Sequence, residues 1–311
     1  MTTTTVAAAS RALGVAKRPN ALTRNLSAKI AAVPMIATAL VIFVGCTVWS
    51  VYYSFTGSKL LPVSDFVGLA QYDRLFSTHR WYQAMQNVVI FGVCSMTFSL
   101  VIGFLLAALI DQKIRFENTF RTIYLHPFAM SFIVTGLVWQ WILSPLNGIQ
   151  RVVRDLGWEG FVFDWIVRPE TAIYTIVLAG LWQGTGLVMA LMLAGLRGID
   201  EEIWKAARVD GIPTWKTYLF IVIPMMRPVL VTTVVLISIG IVRVYDLVVA
   251  LTNGGPGTST DVPARYVINM LFFNGNLGQG LAASTVMLAV VLVIVVPWSI
   301  REYSSRAKHG V

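Results

Sequence analysis

Acidic side chains are scarce in this chain: 15 Asp and Glu stand among 311 residues, against 24 Lys and Arg. Charged residues together reach only 13%, about half the share of a soluble domain. Histidine and cysteine are scarcer still. His79, His126 and His309 are scattered with no metal-ligand spacing, and Cys46 and Cys94 both fall within apolar runs. Two buried-type cysteines make no disulfide framework and are read as small apolar packers. There is no Walker phosphate loop, no GxSxG elbow and no HExxH pair. The stretch Gly275 to Gly280, GNLGQG, has no buried strand before it and reads as a loop. These absences argue against an enzyme, since no group of acids, histidines or nucleophiles converges.

What is present instead is apolar length. Hydrophobic residues make up 56% and the mean hydropathy is +0.71. Runs long enough to cross a bilayer recur at 30–56, 88–110, 123–143, 172–196, 228–250 and 281–300. Backbone groups in lipid must be satisfied within the segment, and none of these runs alternates with the period of a barrel strand, so they are read as helices. The expected fold is an all-α polytopic membrane protein with six transmembrane helices. A basic tail (1–29), the helical domain (30–300) and a short tail (301–311) divide the chain.

Orientation follows from the basic residues. The first tail carries Arg11, Lys17, Arg18, Arg24 and Lys29 with no acid. If six helices alternate, that same side holds 16 Lys and Arg and the other side seven, with Arg243 inside a span. Both termini are therefore expected in the cytoplasm. The net charge of +9 reflects this asymmetry and attraction to anionic lipid rather than a nucleic-acid surface. The Thr/Ala/Ser-rich start overlaps the pattern of a transit peptide, but a cytoplasmic tail obeying the positive-inside rule explains it as well. A secretory signal is disfavoured, because the first apolar run is too long and lacks a cleavage site.

One polar stretch, 199–228, interrupts the lipid-like sequence: IDEEIWKAARVDGIPTWKTYLFIVIPMMRP. Asp200 can cap a helix, with Glu201 and Glu202 in its first turn where the dipole favours acids. Glu201 and Lys205 stand four apart in the favourable order. Ala206 and Ala207 add helix propensity and little bulk, so another surface can approach. Gly211 provides a left-handed stop, Pro213 prevents continuation, and a second helix should begin near Thr214. An ordinary interfacial helix that touches nothing would look much the same.

The run Lys205-Ala206-Ala207, then Asp210-Gly211, then Ile223-Pro224, resembles the EAA loop of permease subunits in bacterial ABC importers. Lys205 stands where that family usually has Glu, which implies a compensating acid on the partner. Other segments are similar to the carbohydrate branch of the family. These are Gly68-Leu69-Ala70-Gln71-Tyr72 with Asn87; Phe120-Arg121 with Tyr124 and Pro127; Trp139 and Trp141; Trp182 to Gly186 and Ala194 to Leu196; Tyr245-Asp246; and Leu251 to Pro256. The resemblance covers residues 30–301, and spans three to five are most similar to the glucose/mannose and glucoside types.

The resemblance implies a type I importer permease in the bacterial inner membrane, non-catalytic in itself. ATP and Mg would be bound by two ATP-binding subunits. A second homologous permease and an extracytoplasmic solute-binding protein would complete the assembly around a sugar-type substrate. Glu202, Lys205, Ala206, Ala207, Asp210, Gly211 and Pro224 would form the ATPase-coupling loop. The outer segments 57–86 and 144–171, with exposed aromatics such as Trp81, Trp158 and Trp165, would meet the binding protein or anchor at the membrane interface. A polar solute needs hydrogen-bonding groups and flat apolar faces in the bundle, which nominates Trp139, Gln140, Trp182, Gln183, Thr185, Arg243 and Asp246. Arg243 and Asp246, three apart on one helix, can pair and so lower the cost of burial. The Trp and Gln residues serve equally well as packing and interhelical glue. An ion-coupled secondary transporter remains the alternative; it should bury acids near the midplane and repeat its halves, and Asp246 is the only acid evident in a span. The charge asymmetry makes a direct prediction: green fluorescent protein fused after Val311 fluoresces, and alkaline phosphatase fused after Gly160 is active. The reverse pattern would overturn the orientation.

Overall fold

The computed structural model describes residues 26–112, 114–242 and 244–308. The chain divides into two units, Met1–Trp49 and Ser50–Val311, considered separately. Among the described residues of the first, α1 (Leu26–Ala39) passes through a π turn (Leu40–Gly45) into α2 (Cys46–Ser54). Met35, Val41 and Phe43 are exposed, and apolar residues occupy every side, as expected of a helix in lipid. The expected tail 1–29 lies mostly outside the described residues.

In the second unit, α3 (Ala70–Ser77) leads into α4 (His79–Asp111). Helix α4 starts nine residues earlier than its apolar run, so Trp81 is buried against Tyr266, with ring centroids 5.2 Å apart, rather than exposed. Along α4 the buried positions Phe91, Ser95, Ser99, Gly103 and Ala107 recur every fourth residue. Against this stripe lies α8 (Ala172–Arg197), whose buried face runs through Ile176, Ala179, Gln183, Gly186 and Met189. Inside a bilayer apolar burial gives little drive, so helices associate through close packing of small residues. Gly103 permits that approach: a Cβ there would lie 2.7 Å from Val188. Gly186 sits tighter still, since a Cβ would fall 1.9 Å from the Tyr124 carbonyl oxygen.

Spans one, two, four and six are single helices; the third and fifth are broken, so six spans are reached only by counting each bent pair as one. The run 123–143 does not form one helix. Instead α5 (Glu117–Leu125) enters a 3-10 turn (His126–Ala129) containing Pro127, and α6 (Phe132–Ile142) leaves at 99° to it. Ser131 caps α6 by accepting from the Val134 N–H at 3.2 Å. Beyond a short α7 (Ile149–Asp155) and α8, the helix of the polar loop, α9 (Glu201–Val209), follows. The helical run Thr214–Met225 then bends by 73° into α10 (Arg227–Val242), with Pro224 and Pro228 flanking the bend. The fifth run is interrupted again: α10 ends at Val242, Val244 and Tyr245 are not helical, and α11 (Asp246–Leu251) restarts. Asp246 therefore begins a new helix after two non-helical residues, and Arg243, its expected partner, lies outside the described residues. Helix α12 (Pro263–Ile268) precedes α13 (Leu277–Lys308), which takes in most of the expected GNLGQG loop and runs through the expected C-terminal tail to Lys308. Among the described residues there is no strand, only an isolated bridge between Thr56 and Phe66.

Gly186→Ala should lower the melting temperature of the purified protein in detergent, because overpacking a close contact costs about 1–3 kcal/mol. Gly184→Ala, two residues away with open space for a Cβ, should leave it unchanged.

Candidate coupling face and translocation cavity

Three sites stand out, one beyond each end of the helical frame and one within it. The first lies at the α4 N-terminus and rests on Asp261, which is 0% exposed. Its carboxylate pairs with Arg80 of α4 and, at 3.0 Å, with Arg265 of α12. Asn87 donates to the Asp261 carbonyl at 2.8 Å. Arg265 reaches on to Asn253 and lies over Gly254 (φ +78°), where no side chain fits. Arg80 also sits over the Tyr266 ring. Burial pushes the Tyr266 hydroxyl upward from its ordinary pKa against the pull of Thr78, Arg80 and Gln279, and Gln279 donates to it at 2.9 Å. A buried carboxylate is tolerable only with such pairing. This knot fixes the loop after Leu251, and nothing in its sequence but an Asp four residues before an Arg marks it.

The candidate coupling loop lies at the other end of α4. Asp200 occupies the N-cap position of α9, but its side chain makes no cap bond, contrary to expectation. The stop at Gly211 is as expected. Its φ is +68°, the Gly211 N–H donates to Arg208 O at 3.2 Å, and the Ile212 N–H donates to Ala207 O at 2.9 Å. These two bonds form a Schellman motif. Glu202, Lys205, Ala206 and Val209 share one exposed face, with Val209 87% exposed, while Ala207 turns inward at 4%. Asp210, Gly211 and Pro224 are also exposed. Lys205 and Glu201 approach to 3.8 Å, a solvated pair that contributes little. Beside the loop, Arg197 at the end of α8 binds Glu117 of α5 at 2.6 Å and Asp111 of α4 at 3.5 Å, tying three helix ends together. The sequence reading did not single out this cluster, because its partners are 80 or more positions apart.

Between the two ends lies a cavity of ≈ 440 Å³ lined by Phe91, Ser95, Ser99, Phe128, Tyr245 and Asp246, among others. Ser95 and Ser99 are 6% and 5% exposed, and the Ser95 hydroxyl has no hydrogen-bond partner. Hydroxyls, a carboxylate and aromatic faces in one cavity suit a polyhydroxylated solute. Of the nominated path residues that are described, only Asp246 lines it. Trp139 and Trp182 meet edge to face at 6.0 Å, Gln183 donates to Met130 O at 2.7 Å, Thr185 donates to Leu181 O at 2.6 Å, and Gln140 is exposed on α6.

A bundle of bent and unbroken apolar helices, carrying a short exposed helix on a glycine-stopped loop and a mostly apolar cavity marked by Ser95, Ser99, Tyr245 and Asp246, defines a transport subunit. The family of binding-protein-dependent transport system inner membrane components matches residues 99–309, and the chain belongs to that family. It is similar to a probable ABC transporter permease protein of Pyrococcus horikoshii, 36% identical over 263 residues, covering 84% of this chain and 90% of that one. It is also similar to the xylose/arabinose import permease protein of Haloferax volcanii, 31% identical over 275 residues, covering 87% and 86%. In fold it matches a chain of a bacterial ABC transporter involved in import of the acidic polysaccharide alginate, with TM-score 0.77 and 21% identity, covering 91% and 96%. The family replaces the secondary-transporter alternative.

Asp261→Asn should leave Arg80 and Arg265 facing a neutral amide. Both arginines are partly exposed, so the expected cost is about 2–3 kcal/mol, below that of a fully buried pair. A melting temperature equal to wild type would show that the knot is not what holds the loop.

Proposed function

We propose that this chain is the sugar-translocating permease subunit of an ATP-driven importer. It works beside a second permease, two ATP-binding subunits and a solute-binding protein, with both termini in the cytoplasm. The observation that carries this reading is α9. It is a short helix with an exposed, low-bulk face, held by backbone bonds at Gly211 and aligned with the EAA pattern. Glu202, Lys205, Ala206 and Asp210 would seat in a groove of the ATP-binding subunit, and ATP and Mg would be bound there rather than here. Closure of the ATPase pair would displace α9 and shift the bundle between two arrangements, which nucleotide binding biases. Sugar is the favoured cargo because relatives include the xylose/arabinose permease and a trehalose/maltose transport system permease protein of Thermococcus litoralis. The lining of Ser95, Ser99, Tyr245 and Asp246 fits such a solute.

The test is affinity capture of tagged protein from detergent-solubilised native membranes, with ATP hydrolysis assayed on the captured complex. Wild type should bring down an ATPase and a second permease, and Gly211→Pro should lose the ATPase while the protein still accumulates in the membrane. Wild type captured alone, without ATP hydrolysis, would overturn the reading.

A further inference from the structure

Helix α9 shares no extended packing surface with any other described helix. Beneath it lies an open cavity of ≈ 1050 Å³, whose walls include Leu196, Arg197, Trp204, Thr217 and Tyr218. The contacts of α9 with the bundle are made by few side chains: Ala207 is buried, and Trp204 packs with Tyr218 and Phe104 against the cluster that includes Ala107, Leu196 and Val222, so displacement of α9 must travel through these groups. Trp204 is the largest side chain of α9 and is half-buried. Its ring meets Tyr218 edge-on, with centroids 5.1 Å apart and planes at 67°. Tyr218 in turn meets Phe104 of α4 edge-on at 6.0 Å and 86°. Edge-to-face aromatic pairs have a preferred geometry and resist sliding more than aliphatic contacts do. On α4, Phe104 lies between Ser99, which lines the translocation cavity, and Asp111, which Arg197 holds in the inner cluster.

We infer that Trp204, Tyr218 and Phe104 form the mechanical bridge by which movement of α9 reaches α4 and opens the translocation cavity, Tyr218 acting as the positioning residue between the two helices. This rests on the reading of α9 as the docking helix. The Tyr218 hydroxyl plays no part in the bridge; only its ring does. Tyr218→Phe therefore preserves transmission and Tyr218→Leu breaks it, whereas a role in a hydrogen-bonded structure would make both variants defective. Phe104→Leu breaks the same bridge from the other side, so it adds little to Tyr218→Leu in the double variant.

The experiment uses the captured complex reconstituted in right-side-out vesicles, with Ser99→Cys in a background where Cys46 and Cys94 are serine. The probe is a membrane-impermeant methanethiosulfonate reagent added outside, with and without ATP and orthovanadate. Trapping should raise the labelling rate of Cys at position 99 by about tenfold, the size of an ordinary allosteric coupling. With Tyr218→Leu or Phe104→Leu, ATP hydrolysis should persist while the labelling response disappears; with Tyr218→Phe both should remain. A normal labelling response in the Leu variants overturns the bridge. Loss of ATP hydrolysis in the Leu variants also overturns it, since Tyr218 would then serve docking. A wild-type complex whose labelling ignores ATP and vanadate overturns the functional reading itself, and the bridge with it.

Discussion

Close approach of α4 and α8 is the constraint on which the second unit depends. In lipid, the helices cannot be driven together by exclusion of water, so the contact must come from shape. Serine, glycine and alanine every fourth residue on α4 give a shallow groove, and the Gly186 backbone of α8 presses on the last turn of α5 at Tyr124 and Leu125 with no room for a methyl group. Everything else is hung on this pair. The Asp261 knot joins the start of α4 to the loop beyond α11, and the Arg197 cluster joins the far ends of α4, α5 and α8. Two ionic ties thus hold a helix of 33 residues at both ends, which makes it a stiff reference against which other elements can shift.

The breaks fall elsewhere. Helix α10 is bounded by a sharp bend at Met226 and by non-helical residues from Val244. Freed carbonyls and amides at membrane depth are tolerated where protein or a cavity covers them. Val244, Tyr245 and Asp246 do line the cavity. The irregular backbone at Val244 and Tyr245 thus lies in the wall of the same cavity as Asp246 and the unpartnered Ser95 of α4.

Much of this was legible in the sequence. Six apolar runs, the short helix of the polar loop, the stop at Gly211 and the helix start at Thr214 follow from length, propensity and glycine chemistry. What escaped was long-range or contextual. Hydropathy cannot see that Pro127 and Ser131 turn the third span by 99°, or that the fifth stops short of Asp246, because the residues on both sides are equally apolar. Trp81 was read as an exposed aromatic since charged and polar neighbours surround it, yet pairing with Tyr266, 185 positions away, buries it. Asp261 was overlooked because an acid in a Gly/Thr/Ser loop is ordinarily a solvated turn residue; only the fold brings Arg80 to it. Similarly, Gln183 and Thr185 are candidate path residues on chemical type, and only the fold shows that Gln183 Nε2 and the Thr185 hydroxyl donate to the Met130 and Leu181 carbonyls.

The Schellman stop after α9 has one more consequence. Its two bonds run between backbone groups, and its left-handed position is a glycine, so the shape of the loop owes nothing to the side chains on its outer face. A cell holding several importers of this kind needs each engine to find its own channel. On the proposed docking of this face, the charges at Lys205 and its neighbours can change one at a time while the loop keeps its shape.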